Sequence, residues 1–257
     1  MVEKFHNLVN YRFKKPSLGS WLHCPTPESA ELMSLIGFDF LVIDNQHGLT
    51  DLAKCVELIR TVTSHGVPAF VRISSRNFSE IGKFLDAGAM GIICPMINNE
   101  DEARDLVAAS LYHPKGKRSF GPIRSRLIFK DLDINQINEK IIVLPMIETH
   151  EALQNIEKII NVPGISGFFM GPSDMALSNN LIPTLDPEED KSLELLKKAV
   201  ESAKDAKKIS AIAIDKIDFL PKAQNMGYNT FICGSDLKFL ERGALAVKNN
   251  YEKLLNV

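Results

Sequence analysis

The residues best able to do chemistry lie where apolar runs stop. Ile43 gives way to Asp44-Asn45-Gln46-His47, Val71 to Arg72, Ile147 to Glu148, and Met170 to Gly171-Pro172-Ser173-Asp174; Asp215 ends a further run. Glu148 and Asp174 are hard oxygen donors with no cysteine or second histidine beside them. Two carboxylates, completed by water and a chelating substrate, suit Mg²⁺ or Mn²⁺ better than a closed zinc site, and such donors separate these ions from Co²⁺ only weakly. His47 can act as a general base, its ring oriented by a neighbouring carboxylate such as Asp44 or one from another strand. Arg72 is the only arginine inside any of the apolar runs. A guanidinium there is costly unless it meets a carboxylate or a developing oxyanion. The backbone amides of the Gly171-Pro172-Ser173-Asp174 turn can hold a substrate carboxylate. Each feature also has a structural alternative: a capping role for His47, Ser173 or Asp174, a structural acid pair for Glu148 and Asp174, and an ion pair at Arg72.

These residues are useful only if their elements bring them together. Strand-like apolar runs cover 17–22, 38–43, 67–73, 91–95, 141–147, 166–170, 209–214 and 229–233. They are apolar on both faces, as parallel strands covered by helices are. Helical patterns alternate with them, at 27–35, 52–63, 79–86, 100–110, 151–160, 187–204, 219–225 and 236–255. Thr26-Pro27, Thr50-Asp51 and Asp186-Pro187-Glu188 are helix-start signals. Such alternation reads as a parallel α/β protein. The doubly wound competitor usually carries a GxGxxG turn after its first strand, where this chain has Trp21-Leu22-His23-Cys24-Pro25. The expected fold is therefore a single-domain (β/α)8 TIM barrel spanning 1–257. In such a barrel the chemistry is built at the carboxyl ends of the strands, where all the candidates above fall. The long segment 112–138 interrupts the pattern and is a candidate functional loop.

Composition excludes several other classes. With 257 residues, a formal charge of −2 and 45% hydrophobic residues, the chain is neither disordered nor strongly basic. No nucleic-acid partner is expected. No membrane partner is expected, since no apolar stretch reaches the ~18 residues needed to span a bilayer. The N-terminus lacks the apolar core of a secretory signal, and the four cysteines are scattered without a CxxC pair. A cytoplasmic location is expected. No lysine lies inside a strand core; Lys140 and Lys208 precede strands and Lys216 follows one. Schiff-base chemistry is thereby disfavoured.

The chain resembles a known family on a series of ordered motifs. These are Gly37-Phe38-Asp39 leading into Asp44-x-x-His47, Val71-Arg72, Leu85-Asp86-Ala87-Gly88-Ala89, and Pro95-Met96 followed by Glu100-Asp101-Glu102-Ala103. Gly116-x-Arg118-Ser119-x-Gly121, Ile147-Glu148-Thr149 and Gly171-Pro172-Ser173-Asp174 complete the series. Together, over about 19 to 240, they are similar to the HpcH/HpaI aldolase/citrate lyase family, and in particular to class II pyruvate aldolases of the 4-hydroxy-2-oxoheptanedioate type. The resemblance implies a divalent metal (Mg²⁺, Mn²⁺ or Co²⁺) on Glu148 and Asp174. It implies His47 as catalytic base acting through water, with Asp44 and Asp86 supporting it. It implies Arg72 polarising the 2-oxo acid and Gly171, Pro172, Ser173 and Asp174 forming the substrate-carboxylate site. The implied partners are pyruvate and an aldehyde. The implied assembly is a homohexamer, a trimer of dimers with the last helix exchanged; otherwise its apolar positions, Leu237, Leu240, Ala244, Val247, Tyr251 and Leu254, cover the chain's own barrel. Two departures stand out: Gln46 where many members carry Glu, and Met146 where many carry Gln. Arg118 and Arg124 are candidates either for a distal acid group of the substrate or for surface or subunit salt bridges. Cleavage of a CoA thioester, or a barrel that binds a 2-oxo acid without turnover, are the competing functions.

Overall fold

The computed structural model describes residues 16–203 and 208–255. The reading of the N-terminus, and the expected helix end at 204, lie outside the described residues.

Eight parallel strands close into a barrel in sequence order. They are β1 (Ser17–Leu22), β2 (Phe40–Asp44), β3 (Ala69–Arg72), β4 (Gly91–Cys94), β5 (Ile142–Ile147), β6 (Gly167–Met170), β7 (Ile209–Ile214) and β8 (Thr230–Ser235). This is the (β/α)8 barrel, with each strand within a few residues of its expected span. Strand β8 pairs with β1 through a register shift between Gly19 and Trp21. There the Ser20 hydroxyl lies 3.1 Å from the carbonyl oxygens of both Cys233 and Gly234.

The interior is packed from the bottom upward. Phe40 and Phe70 meet at 5.1 Å between ring centres. Glycines make room for them: a Cβ on Gly19 would lie 2.4 Å from the Phe40 ring, and one on Gly91 would lie 2.8 Å from Phe70. Side chains alternate along a strand, so Asp44 shares the face of Phe40, and Arg72 that of Phe70. Aromatic packing below thus sets the height at which the charged pair emerges above.

Among the described residues the α-helices are α1 (Pro27–Ile36), α2 (Leu52–Ser64), α3 (Phe78–Ala87), α4 (Glu100–Ser110), α5 (Ser125–Ile128), α6 (Ile134–Lys140), α7 (His150–Gln154), α8 (Ile156–Ile160), α9 (Pro172–Ser178), α10 (Asp190–Ala203), α11 (Leu220–Met226) and α12 (Asp236–Leu255). Thr26 and Asp51 cap α1 and α2 as their signals suggest. Helix α10 starts at Asp190 rather than at Pro187. The Asp186 carboxylate does other work, accepting the backbone N–H groups of Asp215 and Lys216. The 112–138 segment is not a bare loop. It carries α5 and α6, and the Asn138 side chain pairs with both the N–H and the C=O of Tyr112. Because it joins α4 to β5, it lies at the amino-terminal face, away from the strand exits.

Helix α12 does not cover its own barrel. Of its residues only Asp236 is buried, while Leu240, Val247 and Leu254 are 69%, 72% and 82% exposed. Among the described residues, no helix is long and apolar enough to cross a membrane, and all four cysteines are free.

Candidate active site

Arg72 and Asp44 are neighbours across the β2–β3 ladder. Arg72 Nε donates to Asp44 Oδ1 at 2.8 Å, and Nη2 donates to Oδ2 at 2.6 Å. Asp44 is fully buried. Burial alone would raise its carboxyl, but hydrogen bonds from His23 and Arg72 and the Arg72 charge outweigh burial and hold it well below the usual carboxylate range. The N–H groups of Gln46 and His47 also reach Oδ1. Arg72 stands 4.4 Å over the Trp21 ring, a cation–π contact that fixes the guanidinium plane. Its Nη1 carries no hydrogen bond among the described residues, which leaves donors for a ligand. A cavity of about 130 Å³ opens beside it, lined by Trp21, His23, Arg72, Asp215, Ser235 and Lys238 among others.

The acid pair lies at the exits of β5 and β6. Glu148 is 2% exposed, and its Oε1 accepts the Met96 N–H at 2.7 Å. Burial pushes its carboxyl up to about 7; the Met96 N–H and the Arg72 charge oppose this, and the Asp174 charge adds to it. Met96 holds φ 55, a left-handed conformation that costs a residue with a Cβ roughly 1–2 kcal/mol. Strain of this kind clusters at functional sites, and here it aims an amide at Glu148. Asp174 is exposed on the first turn of α9. No side chain caps that helix, so the amides of Ser173 and Asp174 are open. A Cβ on Gly171 would lie 2.6 Å from Glu148 Oε2, so only glycine leaves that oxygen clear. Met146, inward-facing two residues before Glu148, is 2% exposed and touches the same spot.

Within this chain three of the acids lie away from the His47 ring. Asp44 does not orient the His47 ring; it touches only the His47 backbone, and the ring is exposed without a hydrogen bond among the described residues. Asp86 does not approach His47 within this chain. It ends α3 at the amino-terminal face, where its carboxylate takes Arg118 Nη2 at 2.6 Å. Arg118 is itself buried and stacked 4.4 Å over Tyr112, and Arg124 bonds the Ala87 carbonyl, so both arginines brace that face. Asp215, at the end of β7, is held by Lys238 and Arg242.

The HpcH/HpaI aldolase/citrate lyase profile matches residues 17–240, essentially the whole barrel. The chain belongs to that family. It is 36% identical to the hydroxypyruvate/pyruvate aldolase of Rhizorhabdus wittichii, over 91% of this chain and 93% of the relative. It is 31% identical to the 4-hydroxy-2-oxo-heptane-1,7-dioate aldolase of Salmonella dublin, over 94% and 93%. The crystal structure of an HpcH/HpaI aldolase from Desulfitobacterium hafniense shares the fold, with a TM-score of 0.84 at 21% identity over 93% of each chain. The protein is an aldolase.

Against the background of this HpcH/HpaI aldolase fold, one participant escaped the sequence reading, and a second acts otherwise than a helix cap. His23 lies 3.2 Å from Asp44 Oδ2 through Nε2. Asp236 accepts the N–H groups of His23 and Cys24 and the Ser29 hydroxyl, which ties the β1 exit to the start of α12. His23 has no motif or spacing that could have flagged it, whereas Asp236 sits in a Gly234-Ser235-Asp236 turn that reads as a helix start; closure of the barrel at β8–β1–β2 creates both contacts. Gln46 keeps the motif position but its Oε1 is buried without a partner.

Proposed function

We propose that this aldolase is metal-dependent and reversibly cleaves a 4-hydroxy-2-oxo acid to pyruvate and an aldehyde. The observation that carries this is the pairing, at one barrel mouth, of a fixed guanidinium with a buried carboxylate whose proton affinity is raised. Burial and Asp174 push Glu148 up to about 7, the behaviour of an acid placed to be neutralised by a cation. Among the described residues no three His, Cys, Asp or Glu side chains cluster as a closed metal site. Two carboxylates with a glycine-cleared face fit an open site for Mg²⁺, Mn²⁺ or Co²⁺, completed by water and substrate. Glu148 and Asp174 would hold the ion. When bound, it would act as a Lewis acid on the oxo acid.

The chain's own groups then have distinct tasks. The amides of Ser173 and Asp174, presented by Gly171 and Pro172, bind the carboxylate of the oxo acid. Arg72, locked in place by Asp44 and Trp21, stabilises negative charge on the 2-oxo oxygen as the C3–C4 bond breaks and the enolate of pyruvate forms. His47 accepts the 4-hydroxyl proton through water, the aldehyde leaves, and a proton delivered through water to C3 of the enolate completes pyruvate. In reverse, the enolate attacks the aldehyde and His47 returns the proton. The two curated relatives are named for aldolase chemistry, which favours this reading over cleavage of a CoA thioester. Met146 is apolar beside the acid pair, so it offers no hydrogen bond to the substrate. Pyruvate release from such acids, with and without chelator, tests the proposal.

The same reading includes an oligomer. The bare apolar face of α12 argues for burial against a second copy. Asp86 can serve His47 only from a neighbouring subunit, and the hexamer implied by the family would supply one.

A further inference from the structure

Arg72 has to be held still and yet keep positive charge to offer a ligand. Two groups fix it directly: Asp44 in the guanidinium plane and the Trp21 ring at 4.4 Å. His23 touches both of these groups. Its Nε2 is 3.2 Å from Asp44 Oδ2, the oxygen that also accepts Arg72 Nη2. Its ring stacks on Trp21, with 6.2 Å between centroids and 22° between planes. An ionised carboxylate only accepts, so His23 Nε2 carries the hydrogen. The histidine is not free to leave: its N–H is bound by Asp236 Oδ1 at 2.9 Å, and Asp236 Oδ2 binds the next N–H and the Ser29 hydroxyl. His23 also lines the cavity beside Arg72.

We propose that His23 is a positioning residue for the aldolase reaction. By donating to Asp44 Oδ2 it takes a share of the carboxylate's charge, so that Asp44 orients Arg72 without neutralising it, and Arg72 keeps more of its field for the oxyanion. Two donors on one carboxylate oxygen weaken each other's hold, so loss of His23 draws Arg72 tighter onto Asp44. This rests on the role given to Arg72 above.

The test compares wild type with His23→Gln, His23→Phe and His23→Ala in the full-length protein loaded with diamagnetic Mg²⁺. Glutamine keeps a donor near the position of Nε2; phenylalanine keeps the bulk and the stacking on Trp21 but no donor. Exchange of pyruvate methyl protons for deuterium, followed by NMR, reads enolate formation without an aldehyde. His23→Phe and His23→Ala should lower kcat for exchange about tenfold with KM changed less than threefold, while His23→Gln stays within threefold of wild type. The Arg72 Nε–H resonance should move in His23→Phe and hold its place in His23→Gln. Wild-type exchange in His23→Phe, or an unmoved Arg72 resonance in that variant, would overturn the inference. If wild type itself exchanged no pyruvate protons, the aldolase reading would fall instead, and the Arg72 resonance would still decide whether His23 acts on Arg72.

Discussion

Arg72 and Asp44 are joined by two parallel hydrogen bonds, Nε to Oδ1 and Nη2 to Oδ2, at the shared exit of β2 and β3. A lysine can carry the charge but cannot fill two donor positions in one plane or lie flat over Trp21. Arg72→Lys should therefore fold normally by circular dichroism, yet lose kcat by about 100-fold, the range seen when one oxyanion donor is removed. A loss below tenfold would show that charge alone suffices.

Glu148 makes a pH-dependent prediction. Burial, with Asp174 adding, raises its carboxyl from the usual 4.5 to about 7. Between those values the folded chain binds a proton that the unfolded chain has released. Stability of the metal-free protein therefore falls as pH rises through that window, and the cost is complete above it. Glu148→Gln removes the buried charge. Metal-free Glu148→Gln should melt higher than wild type at pH 8, by on the order of 3 kcal/mol at most, with no advantage near pH 4. Saturating Mn²⁺ should reverse the order at pH 8, because only wild type gains a ligated cation. Differential scanning calorimetry at the two pH values decides it.

Gly171 keeps Glu148 Oε2 clear. Its φ of −101 suits any residue, so Gly171→Ala tests space rather than backbone strain. The added Cβ would meet Oε2 at 2.6 Å and turn the carboxylate away. Mn²⁺ affinity, measured by calorimetric titration, should drop about 10–100-fold, the range for disturbed support of a metal ligand, while the barrel's melting curve stays cooperative. Unchanged affinity would remove Glu148 from the proposed metal site.

The uncovered face of α12 predicts assembly. Light scattering should give a mass well above the 28.6 kDa of one chain. Leu240→Asp with Leu254→Asp should shift the distribution toward that value. A wild-type monomer would contradict both the helix exchange and the shared site for Asp86.

Much of the barrel is legible in the chain because buried parallel strands are short, apolar on both faces and punctuated by polar exits. Asp44 and Glu148 could be picked out because each is the first charged residue after such a run, and Arg72 because it is the only arginine inside one. His23 could not, since its meaning depends on β1 closing beside β2. Asp86 and Asp215 show the opposite limit. Both looked available by type, but Asp86 ends a helix, which runs back to the far face, and Asp215 is spent on Lys238 and Arg242. The expected start of α10 failed for a similar reason, because a proline-flanked acid can bind amides in a neighbouring loop as well as cap its own helix. Loop side chains are assigned by tertiary contacts that local pattern does not encode.

Metal-dependent release of pyruvate is the reaction proposed for this barrel. The direct measurement is a lactate-dehydrogenase-coupled assay on a panel of 4-hydroxy-2-oxo acids, using protein treated with EDTA and then resupplied with Mn²⁺, Mg²⁺ or Co²⁺. Pyruvate release from at least one acid is expected, abolished by EDTA and restored by metal. Release at an undiminished rate in EDTA, or none from any acid with any of the three metals, would contradict it.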